Sequence, residues 1–122
     1  MKVIVTATAP ELEAAVDPRF GRGAYFIAVD TDTLKWQAHE NPAVNASGGA
    51  GSQAAQFVAR QSADAIISGD FGPNAYLALA AAEAKMYLLG PSQTVEEAVA
   101  NFVAGELVRV EAPTGAGHHG GR

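Results

Sequence analysis

Cysteine is absent from the chain's 122 residues. Its absence excludes disulfides, a cysteine nucleophile, and thiolate ligands for zinc or an ordinary iron–sulfur cluster. That restricts the chemistry more than any motif present. Basic residues are few, 8 Lys and Arg against 13 Asp and Glu, a net charge of −5. The balance argues against nonspecific nucleic-acid binding, which needs a cationic face to release counterions. No apolar run approaches the roughly 20 residues of a membrane span. "MKVIVTATAP" passes from one lysine straight into a short apolar run, without a secretory-type hydrophobic region or cleavage site. It reads as a first strand, and a cytoplasmic location is the expectation. Aromatic residues are sparse, and alanine and glycine supply much of the apolar share. The core is therefore expected to pack small side chains around a few large anchors: Phe20, Phe26, Trp36, Phe57, Leu77, Tyr87, Leu88 and Phe102.

The length suits one domain with a single core. "KVIVTA" at Lys2–Ala7 is a buried strand by its β-branched apolar content. A long loop follows over Thr8–Gly23, punctuated by Pro10, Pro18, Gly21 and Gly23. "AYFIAVD" and "LKWQAHE" then form an antiparallel hairpin across "DTDT". The second of them alternates Leu34, Trp36 and Ala38 against Lys35, Gln37 and His39, as a half-exposed edge strand would. After "NPAVNASGGAG" the period becomes helical from Ser52 to about Ala63. "DAIISG" is a strand, "FGPNAYLALAAAEA" a helix and "KMYLLG" a strand. "TVEEAVANFVAG" carries a capping-box pair, Thr94 and Glu97, an apolar stripe and a terminal Gly105. "LVRVEA" adds a last strand. Residues 1–112 form one α/β domain, and 113–122 read as a flexible Gly/His tail. A hairpin followed by alternating units implies a mixed sheet of five to six strands with helices on both faces.

Ligands of such sheets bind beyond the carboxyl ends of the strands. Three segments compete for that edge: "DPRFGR" with Arg19 and Arg22, "SGGAGSQ", and "SGDFGPN". The second and third carry glycines at the starts of helices, where unpaired amides and the positive dipole end favour anions. Neither fits the P-loop or the dinucleotide fingerprint. Glycines at such junctions also serve turns alone, and the arginines can also simply pair with Asp17 or Glu13. Two cations, two amide-rich helix starts and no titrating base together suit holding an anion better than cutting a bond. His39 lies on the polar side of the edge strand and reads as a solvated surface residue. His118 and His119 are candidates for copper or zinc, or for a tail without that role. Ser47, Ser52 and Ser68 have no histidine partner, and no carboxylate pair stands out.

"VDPRFGRGAYFIAVD", "GGAGSQAAQFVA" and "DAIISGDFGPNAYLALAAAEAKMY", in that order, resemble the dinitrogenase iron–molybdenum cofactor biosynthesis family of small carrier proteins. The likeness runs from about Met1 to Val110. It implies a ribonuclease H-like three-layer α/β/α fold without nuclease activity, and binding or carriage of metal–sulfur clusters. Where nitrogenase-associated carriers tend to have a cluster-binding histidine before Phe-Gly, this chain has Arg19. With no cysteine either, the resemblance is nearer to the orange-protein branch, which implies a molybdenum–copper sulfide cluster held noncovalently. In that frame Arg19 and Arg22 neutralise charge around Gly21. Gly48, Gly49, Gly51 and Ser52 donate amides, Gly72 and Asn74 close the far side, and Phe20 and Phe71 line it. The expectation is a noncatalytic cluster carrier, served by cluster-donor or acceptor proteins, monomeric or weakly dimeric through the edge strand. Three alternatives stand beside it: a carrier of an iron–sulfur or iron–molybdenum cofactor precursor, a regulatory or scaffolding module without metal, and an enzyme acting on a small phosphorylated substrate.

Overall fold

The computed structural model describes residues 1–114. Six strands, β1 (Lys2–Ala7), β2 (Tyr25–Asp30), β3 (Trp36–Glu40), β4 (Ala65–Ser68), β5 (Lys85–Leu88) and β6 (Arg109–Val110), form one sheet in the order β3-β2-β1-β4-β5-β6. Three helices accompany it, α1 (Ala50–Ala59), α2 (Pro73–Ala81) and α3 (Val95–Val103). β1 pairs parallel with β4, and β4 with β5; β1–β2, β2–β3 and β5–β6 are antiparallel. This is the expected mixed α/β sheet.

The central strands are apolar on both faces because both faces are covered. Ile4, Phe26, Ala28, Ile66 and Met86 pack under α1 and α2 with Ala54, Val58, Ala75 and Leu79. Val3, Val5, Ile27, Val29 and Ile67 pack under α3 with Val95, Ala98 and Val99. Thr94 caps α3 as its sequence predicts, accepting the Glu97 N–H at 3.1 Å, while Glu97 accepts from Gln93 N–H at 2.9 Å. Gly105, at φ 76, ends the helix. Leu107 then lies against Gly90, so β6 starts beside the end of β5 and runs antiparallel to it.

Two expected anchors are exposed. Leu77 is 64% exposed, because the core-facing residues of α2 are Ala75 and Leu79 and Leu77 projects from the far side of the helix. Trp36 is 43% exposed, because its partner Val29 faces α3 and that helix does not extend over the edge strand. Phe71 and Leu79 are fully buried in their stead. β3 also begins later than expected. Asp30 Oδ1 accepts the N–H groups of Asp32 and Thr33, and Leu34, at φ 63, belongs to the turn. α1 closes at Ala59, earlier than expected, and Ser62 at φ 58 turns the chain into β4.

β1, β3, β4 and β5 share one direction, so Ala7, Glu40, Ser68 and Leu88 end along one edge, beside the start of β2. The loops that follow β1, β3 and β4 all emerge there.

Candidate functional site

The loop after β1 is built around a buried carboxylate. Asp17 sends its N–H to the Thr6 carbonyl at 2.9 Å, and its own carbonyl accepts the Thr6 hydroxyl. Thr6 also meets Ser68 Oγ at 2.9 Å, joining β1 to β4 through two buried hydroxyls. Asp17 Oδ1 accepts Arg19 N–H at 2.9 Å and Arg19 Nε at 3.1 Å, and Oδ2 accepts Arg19 Nη2 at 3.0 Å. The carboxylate is 5% exposed and the Arg19 side chain 65%. Burial pushes the Asp17 carboxyl up, but the side-chain and backbone hydrogen bonds and the charge of Arg19 outweigh it and hold it below its ordinary range. Arg19 is in turn held above its ordinary value by Asp17. The pairing weighed for Arg19 in the sequence is thus present, with the guanidinium held in a two-point fork and its outer side open to solvent.

Arg22 takes a different role. Its Nη1 donates to the carbonyls of Ala46, at 2.7 Å, and Val44, at 3.4 Å. It ties the first loop to the loop before α1. Asn41, 2% exposed, makes the same junction from the other side, donating to Gly21 and Gly23 carbonyls at 3.1 and 2.8 Å and accepting from Ala43 N–H at 2.8 Å. Gly21 sits so close to α1 that a Cβ there would come within 2.9 Å of the Gly51 backbone nitrogen. Only glycine fits. Gly69 is packed more tightly still, since a Cβ there would come within 2.5 Å of Pro18, and Arg19 and Asp70 form a parallel backbone bridge. Asp70 is pushed up by burial, opposed by the Phe20 backbone and raised again by Asp17.

The two helix starts meet at this junction. The N-cap of α1 is Gly49, in the left-handed region at φ 70, and that of α2 is Gly72. Neither helix has a side-chain cap or an acidic residue in its first turn, which leaves its first amides without internal partners. A Cβ built on Gly48, Gly49 or Gly72 would meet nothing within 4 Å, so these three form an open rim. Gly51 instead faces Ala75, whose Cβ would lie 3.6 Å from one built there, and it serves helix packing. Ser52 is half-buried and Asn74 exposed. Phe20 and Phe71 are 1% and 0% exposed, with ring centroids 5.6 Å apart. They lie beneath the rim as its floor, closed off from solvent, and are not an accessible lining.

The arrangement offers backbone amides and a guanidinium to a surface-bound anion. It offers no set of metal ligands: no group of three or more His, Cys, Asp or Glu among the described residues is placed to hold a metal ion. An anionic cluster that fills its own coordination fits such donors, and one needing protein thiolates does not. His39 is not a solvated surface residue. It pairs with Phe26 across β2 and β3, and therefore points under α1. There it meets Phe57 edge-on at 5.8 Å, with Nε2 buried and unpartnered among the described residues. His118 and His119 lie outside the described residues. Asn41 and the Thr6–Ser68 pair were not singled out from sequence, and Asp17 was named only as a possible partner of the arginines. The Asp-Pro and Asn-Pro dipeptides at 17–18 and 41–42 were the available signal, since they favour turns that Asp and Asn side chains brace.

No curated protein matches the chain. Among solved structures it is similar to the apo form of the orange protein from Desulfovibrio gigas, at 38% identity and TM-score 0.88, over 93% of this chain and 96% of that one. It is also similar to a NifB-type protein from Thermotoga assigned to the DUF35 family, at 30% identity and TM-score 0.81, over 95% and 98%. The model of the dinitrogenase iron–molybdenum cofactor family matches residues 1–105. With motifs, fold and full-length neighbours in agreement, the chain belongs to the dinitrogenase iron–molybdenum cofactor family.

Proposed function

We propose that the chain is a noncatalytic carrier of an anionic metal–sulfide cluster, molybdenum with copper, held without covalent attachment at the carboxyl edge of the sheet. The observation that supports this most is the meeting of two uncapped helix starts behind an open glycine rim, beside Arg19 and Arg22. Helix starts attract anions through free amides and the positive dipole end. Hydrogen bonds from charged donors are roughly twice as strong as neutral ones. Asp17 keeps the Arg19 fork in place, so little side-chain entropy is lost when an anion arrives.

The roles follow position. Arg19 faces the cargo and offsets its charge. Arg22 fixes the loop that presents Gly48 and Gly49, Ser52 and Asn74 stand at the two helix starts, and Phe20, Phe71, Gly21 and Gly51 hold the floor together. Similarity to the orange protein of Desulfovibrio gigas points to the same branch of the family. The family's own description favours a second reading, an iron–molybdenum cofactor precursor as cargo.

An anaerobic titration of metal-free protein separates the two. Tetrathiomolybdate with copper(I) should give new charge-transfer absorption that stays with the protein through gel filtration. Retention of iron and sulfide instead, with no molybdenum and copper, would transfer the assignment to the precursor.

A further inference from the structure

β6 runs antiparallel to β5, away from the edge that carries the candidate site, yet the chain comes back to that edge. Beyond Val110, Thr114 donates its N–H to the Phe71 carbonyl at 2.8 Å, and its Oγ1 accepts the Phe71 N–H at 2.8 Å. One threonine thus holds both backbone polar groups of one residue. Phe71 is fully buried. It stands between Asp70, bridged to Arg19, and Gly72, the N-cap of α2.

The two bonds fix more than Phe71. A residue's N–H belongs to the peptide plane before it, and its C=O to the plane after it. Thr114 therefore sets the tilt of the Asp70–Phe71 plane and of the Phe71–Gly72 plane. Across the trans Phe71–Gly72 bond the C=O and N–H point opposite ways. With the Phe71 carbonyl turned to Thr114, the Gly72 N–H faces away from it. No acceptor meets that N–H among the described residues, and a Cβ on Gly72 would meet nothing within 4 Å. The Gly72 amide is an unpaired donor at the open rim, and its direction is set from Thr114.

We propose that Thr114 is a positioning residue for the cargo, aiming the Gly72 amide at the anion by holding Phe71 on both sides. The inference deepens the carrier reading above and rests on it. The hydroxyl carries the role. Any residue but proline at position 114 keeps the N–H, whereas the Phe71 N–H needs an acceptor side chain there. Without one, a donor of a buried residue goes unpaired, and tilting the planes on either side of Phe71 to find another partner turns Gly72 with them.

The test compares the full wild-type chain with Thr114→Val, which keeps the shape without the acceptor, and Thr114→Ser, which restores the acceptor. Each is labelled with nitrogen-15, loaded anaerobically with tetrathiomolybdate and copper(I), and passed through gel filtration. The wild type and Thr114→Ser should keep molybdenum alike, and their Gly72 amide resonance should move on loading. Thr114→Val should keep several-fold less molybdenum and lose the Gly72 response, with the amides of α3 and the central strands unchanged. Equal molybdenum in all three chains, or a Gly72 resonance that stays still in a loaded wild type, overturns the inference and leaves the carrier reading standing. So does Thr114→Ser performing as poorly as Thr114→Val. A Thr114→Val spectrum that loses its dispersion throughout also overturns it, since Thr114 would then hold the fold rather than the site. A wild-type chain that keeps no molybdenum overturns both readings.

Discussion

At the scale of single residues, Asp17 and Gly21 do more than their types announce. Asp17 has a folded pKa below its ordinary value, so it stabilises the fold above about pH 4, and that contribution is lost as pH falls through the lowered value. Asp17→Asn should therefore be less stable than the wild type at neutral pH, with the gap narrowing as denaturation is repeated toward about pH 2. Asp70 is shifted the other way, and its charge opposes folding once pH rises above the ordinary carboxylate range. Asp70→Asn should be the more stable protein at neutral pH, with the difference vanishing below about pH 4. Gly21→Ala places a methyl 2.9 Å from backbone; urea unfolding should show a loss of about 1–3 kcal/mol. Both arginines were legible as cation candidates because guanidinium groups beside a glycine turn are unusual in an acidic chain. Their division of labour was not. Whether an arginine meets a carboxylate two residues back or carbonyls 22 and 24 residues on depends on loop paths that no local pattern encodes.

At the scale of elements, the outcome followed the strength of the local signal. α3 was readable to its caps, because Thr94, Glu97 and Gly105 mark its ends and its apolar stripe is unbroken. Thr94→Ala should cost about 1 kcal/mol in thermal or chemical unfolding. α2 was readable as a helix but not as to its facing. Its run of alanines around Leu77 and Leu79 has almost no amphipathic contrast, and the structure decides in favour of Leu79. Leu79→Ala should cost about 2–5 kcal/mol, while Leu77→Ala should stay within about 0.5 kcal/mol of the wild type. Equal effects would mean the facing is misassigned. β3 misled in a similar way. Its apolar alternation is real, but on the side that carries Trp36 only Ala38 is partly covered, and His39 points under α1 because register places it opposite Phe26. Period-2 patterning tells that two faces differ, not which one a helix will cover.

At the scale of the molecule, the order of elements was enough to bring three loops to one edge, since parallel strands share their carboxyl ends. The site therefore follows from topology, and its detail from contacts between segments far apart in sequence. Asn41 joins two loops, Gly21 wedges against Gly51, and Thr114 returns to Phe71. The described residues contain no helix long and apolar enough to cross a membrane. At that edge, among the described residues, two uncapped helix starts stand beside the Arg19 fork, and the proposal is that they receive an anionic cargo. The most direct test of that claim is cluster retention by Arg19→Ala/Arg22→Ala, loaded with tetrathiomolybdate and copper(I) beside the wild type. The account predicts a folded variant whose retained molybdenum falls roughly tenfold or more. Undiminished molybdenum in the variant would contradict it.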